Sequence, residues 1–477
     1  MKKLSLLSLI FSFIFPLIIG LSTLSIPFAL IDDGELIKVS GEFINRTKVG
    51  DFLYFFKNEP ENGRIRPFFW FVSFLPYAIS GPNPITYHVL HLLIMCLSPL
   101  LIFKIIYALS KSNLGALVGS LGYTLVVAPA EIWHRLGTQE PIITALLLFA
   151  FYKIVKLEEN GKKVKSSIFW ILLSLSLATL TKETVVAIIP GLILLIVFSV
   201  LVLRKITLFV QSLILITLSQ IAFVLGLFFL KNLWGINGSY SQQLTLDKTA
   251  LIYNFNQYLS HIQKDTGLLL PISLIILLII SLKKRDFNLC FMFFFLTISV
   301  SFLVLQLPWI YPLGRYLPPI YMGLFLFIGC SFSYLFKILK RIKFIGPVLI
   351  IVFIFYTISF FFDQTNAVLK EINSGKQRAE INAEMVKKVS ENLIVDSKVF
   401  FNILEGAYEY AYETDLHLKL LYKKQNLAER INPYLLPTFK NGDILVVSRQ
   451  YQEFPDNVIG KKTFLYQSPL WTIYKIN

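Results

Sequence analysis

Residues Leu4 to Ile31 contain no charged side chain. A helix needs ~20 apolar residues to cross a bilayer, so this first block is long enough to span one. Comparable blocks recur along the chain, roughly at 84–108, 114–130, 139–155, 167–180, 184–203, 206–230, 267–282, 287–307, 314–336 and 344–362. In hydrocarbon every backbone N–H and C=O must be satisfied internally, which leaves helices as the structure for such blocks. Composition agrees: 55% of the residues are hydrophobic and 16% charged, against about a quarter charged in soluble domains. The expected fold is an all-α polytopic membrane protein of about eleven transmembrane helices. Residues 67–80 are apolar and aromatic but short, and are expected to form a helix lying in the interface.

The net charge is +16. With the N-terminus on the cytoplasmic side, the basic residues collect in alternate short connections. These hold Lys111, then Lys156, Lys162, Lys163 and Lys165, then Arg204 and Lys205, then Lys283, Lys284 and Arg285, and last Lys337, Lys340, Arg341 and Lys343. That is the positive-inside pattern. It accounts for the charge without a nucleic-acid partner, for which no basic stripe interleaved with aromatics is present. Lys2 and Lys3 ahead of an apolar stretch resemble a signal peptide, but the stretch far exceeds a ~7–15-residue h-region, so an uncleaved first helix is expected. Cys96, Cys290 and Cys330 each sit in an apolar run and read as small core residues.

Two extracytoplasmic connections are long, residues 32–83 and 231–266, the second with Gly235, Gly238 and many Asn, Gln and Tyr. The tail, 363–477, is polar and differs from the transmembrane module of 1–362. It is expected to hold an amphipathic helix around 366–394 and short strands at Val399–Ile403, Ile444–Val447 and Thr463–Ile476, making a small extracytoplasmic α+β domain.

The same extracytoplasmic side collects acids and bases. Asp32, Asp33, Glu35, Asp51, Glu59, Arg64 and Arg66 come from the first connection. Glu131, His134, Arg135, Gln139 and Glu140 follow, then Lys182 with Glu183, then Trp309, Tyr311, Arg315 and Tyr316. Ionisable groups at the apolar boundary cost free energy, so a mixed-sign cluster there is a candidate site. Arginine and lysine suit an anionic phosphate, and a carboxylate suits proton abstraction from a hydroxyl or stabilisation of an oxocarbenium-like state. Asp32 and Asp33 exceed what a helix cap requires. His88 and His91, three apart without a matched carboxylate, read as packing residues rather than metal ligands.

The stretch Gly63-Arg64-Ile65-Arg66-Pro67-Phe68-Phe69-Trp70, then Gly81-Pro82-Asn83-Pro84, Tyr87-His88 and His91, resembles a signature of GT-C class membrane glycosyltransferases. These are relatives of the protein O-mannosyltransferases and aminoarabinose transferases. Thr181-Lys182-Glu183-Thr184 resembles the family's Lys-Glu element, and Gly314-Arg315-Tyr316-Leu317-Pro318-Pro319 its Arg-Tyr-Leu segment. The resemblance covers residues 1–335. It implies a polyprenyl-phosphate sugar donor, transfer to a protein or glycan hydroxyl on the extracytoplasmic face, and Asp33 or Asp32 as general base. It also implies a second acid, Asp51 or Glu59, and places Arg315, with Arg66, Arg135 or Lys182, at the donor phosphate. The family usually shows Asp-Glu where this chain has Asp-Asp. No cofactor is expected, and a divalent metal, which the acid pair would also suit, is not favoured.

Two other readings compete. A transporter or flippase of lipid-linked glycans would carry polar groups at mid-membrane depth and internal repeats, yet the spans 84–108, 167–180, 206–230 and 287–307 are nearly free of charge and no repeat is evident. A non-catalytic scaffold for the tail would tolerate replacement of Asp32 and Asp33.

Overall fold

The computed structural model describes every residue except 1, 49–53, 55–63, 160–163, 234–243, 284–286, 311, 404–408, 432–436 and 450–461. Asp51, Glu59, Gly63, Lys162, Lys163, Gly235, Gly238, Lys284, Arg285 and Tyr311 therefore lie outside the described residues.

The chain is a helical bundle with a small sheet near its C-terminus. The helices are α1 (Lys2–Gly20), α2 (Asp33–Thr47), α3 (Pro67–Ser80), α4 (Pro84–Ser110), α5 (Asn113–Thr124), α6 (Glu140–Glu159), α7 (Val164–Thr179), α8 (Ile188–Leu203), α9 (Leu208–Leu233), α10 (Lys248–Thr266), α11 (Leu269–Lys283), α12 (Phe287–Gln306), α13 (Pro318–Leu339), α14 (Ile345–Asn392) and α15 (Glu409–Leu420). Among the described residues seven helices are long and apolar enough to cross a membrane, or eight if α10 and the apolar part of α11, bent by 88° at their junction, form one span. The other blocks expected to span are α5, α6 and α7: 12 residues, a helix carrying Glu140, Lys153 and Lys156, and 16 residues. The protein is a multi-pass membrane protein. Phe355, Ile358 and Val348 on α14 and Phe228 and Leu225 on α9 are largely exposed, as lipid-facing residues are.

Helix α13 is the axis of the bundle, and nearly all its residues are buried. Small residues let neighbours close on it. A Cβ on Gly115 of α5 would lie 2.5 Å from the Gly329 carbonyl oxygen, and one on Gly323 would lie 2.5 Å from the Phe295 carbonyl oxygen of α12. The Ser299 hydroxyl donates to the Ile320 carbonyl at 2.9 Å. Phe151, Phe291, Phe294 and Phe295 fill the space beside α13. Cys96, Cys290 and Cys330 are buried.

Three local readings change. The first block ends as helix at Gly20 and as a 3-10 turn at Ser25 rather than at Ile31. Ile26 is extended, as a residue before proline is, and Pro27 stops the helix. The span expected at 344–362 and the amphipathic helix expected at 366–394 are one continuous helix, α14, because no glycine-proline break separates them. Residues 248–266, read as loop, form α10, whose Asp247 side chain caps Ala250 N–H at 2.9 Å.

The tail carries strands β1 (Val399–Asn402), β2 (Ala428–Arg430), β3 (Ile444–Ser448), β4 (Lys462–Gln467) and β5 (Trp471–Ile476), ordered β2-β1-β3-β5-β4. β1 runs parallel to β2 and β3, while β5 is antiparallel to β3 and β4. The sheet packs on the second half of α14 through Met385, Val386 and Val389, and Trp471 Nε1–H donates to Asn382 Oδ1 at 2.8 Å. Leu30, two residues before Asp32, is fully buried in this tail core.

Candidate active site

One cavity of about 320 Å³ opens where the first connection, the α5–α6, α7–α8 and α12–α13 connections, and α15 meet. That volume falls in the range of small-molecule sites. Along the sequence these connections alternate with the strongly basic ones.

Asp32 precedes α2 with φ 68°, a left-handed conformation that aspartate tolerates better than most residues. This turn sends the two acids in different directions. Asp32 lines the cavity; Asp33 does not. Arg135 Nη2 and Nε donate to Asp32 Oδ2 at 2.7 and 3.2 Å, and Nη1 donates to Glu131 Oε1 at 2.6 Å. Burial opposes the Arg135 charge, but Asp32 and Glu131 outweigh it and hold the guanidinium firmly protonated. A Cβ on Gly137 would lie 2.2 Å from Asp32 Cβ, so only glycine permits this approach. Asp33 is 1% exposed. Its Oδ2 accepts the Ala29 N–H at 2.7 Å, and its Oδ1 is buried with no hydrogen-bond partner. Burial pushes its carboxyl up to about 8, and the Asp32 charge adds to the rise.

The same cavity is rich in cations. Arg64, Arg66, Lys182 and Arg315 line it with Tyr316 and Glu140. Arg66 is buried and lies over the Phe69 and Trp70 rings, 5.4 and 5.8 Å from their centroids. The Lys182 ammonium pairs with Glu140 and sits 4.6 Å from the Tyr316 ring centroid. The Arg315 guanidinium lies 5.4 Å from the same ring and reaches Glu131 at 3.5 Å. Glu131 thus bridges Arg135 and Arg315, tying two connections together. A cluster of guanidinium and ammonium groups, with Arg66 and Lys182 buried beside aromatic rings, suits a phosphate or phosphodiester.

Besides Asp33, the expected residues Glu183 and His134 stand outside the cavity lining. Glu183 Oε1 accepts the Ile65 N–H at 3.3 Å, and Phe68 N–H donates to the Leu180 carbonyl at 3.2 Å, so Glu183 seats the Arg64–Arg66 segment against the α7–α8 connection. His134 packs against Gly375 of α14, where a Cβ would fall 2.1 Å from its Nε2. Burial and the Arg378 charge lower its imidazole to about 4, so it is neutral at physiological pH. His88 and His91 are buried on α4, and His91 Nε2 is 2.6 Å from the Ile132 carbonyl oxygen.

The sequence reading missed the α15 contribution. Glu409, Tyr412 and Glu413 face the cavity from the tail. The i, i+3, i+4 spacing that puts them on one helix face was available in the sequence, but nothing there tied that face to Asp32. Trp309 was singled out and lines the cavity, as do Gln139 and Glu35.

Neither a family model nor a curated protein matches the sequence. Solved structures do match over nearly its full length. ArnT from Cupriavidus metallidurans in the apo state superimposes with a TM-score of 0.54 at 12% identity, covering 98% of this chain and 97% of that one. The chain has the GT-C fold. ArnT bound to undecaprenyl phosphate matches with a TM-score of 0.55 at 13% identity, over the same shares of both chains. The archaeal oligosaccharyltransferase AglB from Archaeoglobus fulgidus, in complex with an inhibitory peptide and a dolichol-phosphate, matches with a TM-score of 0.52 at 10% identity, over 94% of this chain and 69% of that one. Both neighbours are GT-C glycosyltransferases. Of the residues noted in the sequence, Asp32, Arg64, Arg66, Lys182 and Arg315 line this single cavity.

Proposed function

We propose that this chain is an integral-membrane glycosyltransferase that moves a sugar from a polyprenyl-phosphate donor to an acceptor hydroxyl at the extracytoplasmic face, with Asp32 as general base. The observation that carries the reading is a single cavity lined by Asp32 together with Arg64, Arg66, Lys182 and Arg315, in a fold shared with structures holding undecaprenyl phosphate and dolichol-phosphate. The cationic side chains take the donor phosphate, and the acceptor hydroxyl approaches Asp32. The acceptor oxygen bonds to the anomeric carbon as the bond from that carbon to the phosphate oxygen breaks. The acceptor proton goes to Asp32, and the electron pair stays on the departing polyprenyl phosphate, whose growing negative charge the arginines and Lys182 stabilise. Arg135 orients Asp32 but also competes for its charge. An acceptor that displaces part of this ion pair frees the carboxylate for proton transfer.

The reading assigns phosphate neutralisation to side chains, so chelation by EDTA should leave turnover unchanged; loss of turnover, restored by a divalent cation, would show that a metal shares the task. The direct test incubates purified protein with a panel of polyprenyl-phosphate sugars and follows donor consumption. The expected result is that wild type consumes one donor and Asp32→Asn binds it but turns it over about 10²–10⁴-fold more slowly. Equal turnover by Asp32→Asn would remove Asp32 from the chemistry. Failure to bind any such donor would overturn the transferase reading.

A further inference from the structure

The residue that sets the Asp32 turn lies outside the first connection. Gly34 N–H, in the first turn of α2, donates at 2.6 Å to Glu413 Oε2 of α15, 379 residues away. The Asp32 side chain makes no capping bond to α2, so the tail satisfies a donor that a helix start otherwise leaves open. The fit is close. A Cβ on Gly34 would lie 2.4 Å from Glu413 Oε2, 3.0 Å from Leu416 Cβ and 3.1 Å from His417 Cδ2. Leu30 is anchored in the tail core on the other side of the turn. Glu413 itself is 2% exposed and lines the cavity.

We infer that Glu413 is a positioning residue for Asp32: by accepting the Gly34 N–H it holds the left-handed turn that presents Asp32 to the cavity, which makes the C-terminal tail an integral part of the active site. This rests on the transferase reading. His417 lies 3.8 Å from Glu413 Oε2, but burial lowers its imidazole to about 4, so it is a neutral neighbour rather than an ion-pair partner. Burial raises the Glu413 carboxyl well above its usual range, and the Asp33 charge raises it further. What the turn needs from Glu413 is therefore an oxygen acceptor of the right length, not a charge.

The test uses the full chain in detergent and four variants: Glu413→Ala, Glu413→Gln, Gly34→Ala and, as a control on an exposed face of the same helix, Lys419→Ala. Two readouts are taken, donor turnover and hydrogen exchange of the peptide covering residues 29–36. Glu413→Ala and Gly34→Ala are expected to lower kcat about 10²-fold with the donor KM within about twofold of wild type, and to speed exchange across 29–36. Glu413→Gln, which keeps an acceptor oxygen, should restore both readouts, and Lys419→Ala should move neither. Unchanged exchange in Glu413→Ala, or an equal loss in Glu413→Gln, would overturn the inference. If wild type consumes no donor, the transferase reading falls while the exchange comparison still decides whether Glu413 holds the turn.

Discussion

The bundle interior and the cavity are both built on glycines, to opposite ends. Around α13 the glycines bring backbones together: a Cβ on Gly119 would sit 2.7 Å from the Phe325 carbonyl oxygen, and one on Gly115 2.0 Å from Ser333 Oγ. What they bury carries no charge, and helix contact is the whole result. At the cavity, Gly137 admits Asp32 and Gly34 admits Glu413. There the close approach delivers carboxylates, which are expensive to bury and are held by Arg135 and a backbone N–H. The same device therefore serves stability in one region and chemistry in the other, and substitutions should separate the two.

The largest effect belongs to the interior. Gly115→Leu overpacks the α5–α13 contact by about 3 kcal/mol or more, and size-exclusion profiles should show little folded protein. Whatever folds should keep wild-type kcat, and a slow but well-folded Gly115→Leu would break the division. Gly137→Ala is the matching change in the cavity. It should leave the folded yield intact and cut kcat about 10²-fold by displacing Asp32; a loss of yield with normal turnover would place Gly137 with the interior glycines.

Asp33→Asn sharpens the contrast at smaller cost. The folded chain holds the Asp33 proton up to about 8 while an unfolded chain releases it near 3.8. Between those values the folded state binds more protons, so this group makes stability fall as pH rises. The asparagine variant should be more thermostable than wild type at pH 7–8, with a flatter pH dependence of Tm, and should retain most of its turnover. A variant less stable at pH 8 would show that the Asp33 charge is used in the fold.

The sequence made the bundle legible because hydrocarbon imposes one rule, apolar blocks of span length, and the blocks fall on α1, α4, α8, α9, α12, α13 and α14. It also supplied the site's motif residues, since Arg66, Lys182 and Arg315 stand at helix starts on the connections that alternate with the basic ones. Three things were hidden. Which of two adjacent acids faces the cavity depends on a single left-handed residue, Asp32. The carboxylate of Asp265, on α10, accepts the Val127 and Ala128 N–H groups at 3.0 Å each and the Tyr321 hydroxyl, and so fixes the connection that carries Glu131. No local pattern links those residues. The approach of α15 to Asp32 spans most of the chain, and it rests on the absence of a side chain at Gly34.

The central claim is that a lipid phosphate binds the cationic side chains of the cavity that Asp32 lines. The most direct measurement is a structure of the Asp32→Asn variant with undecaprenyl phosphate added. The account predicts phosphate density inside the cavity, within hydrogen-bond distance of Arg66, Lys182 or Arg315. Phosphate density elsewhere, with the cavity left to solvent, would contradict it.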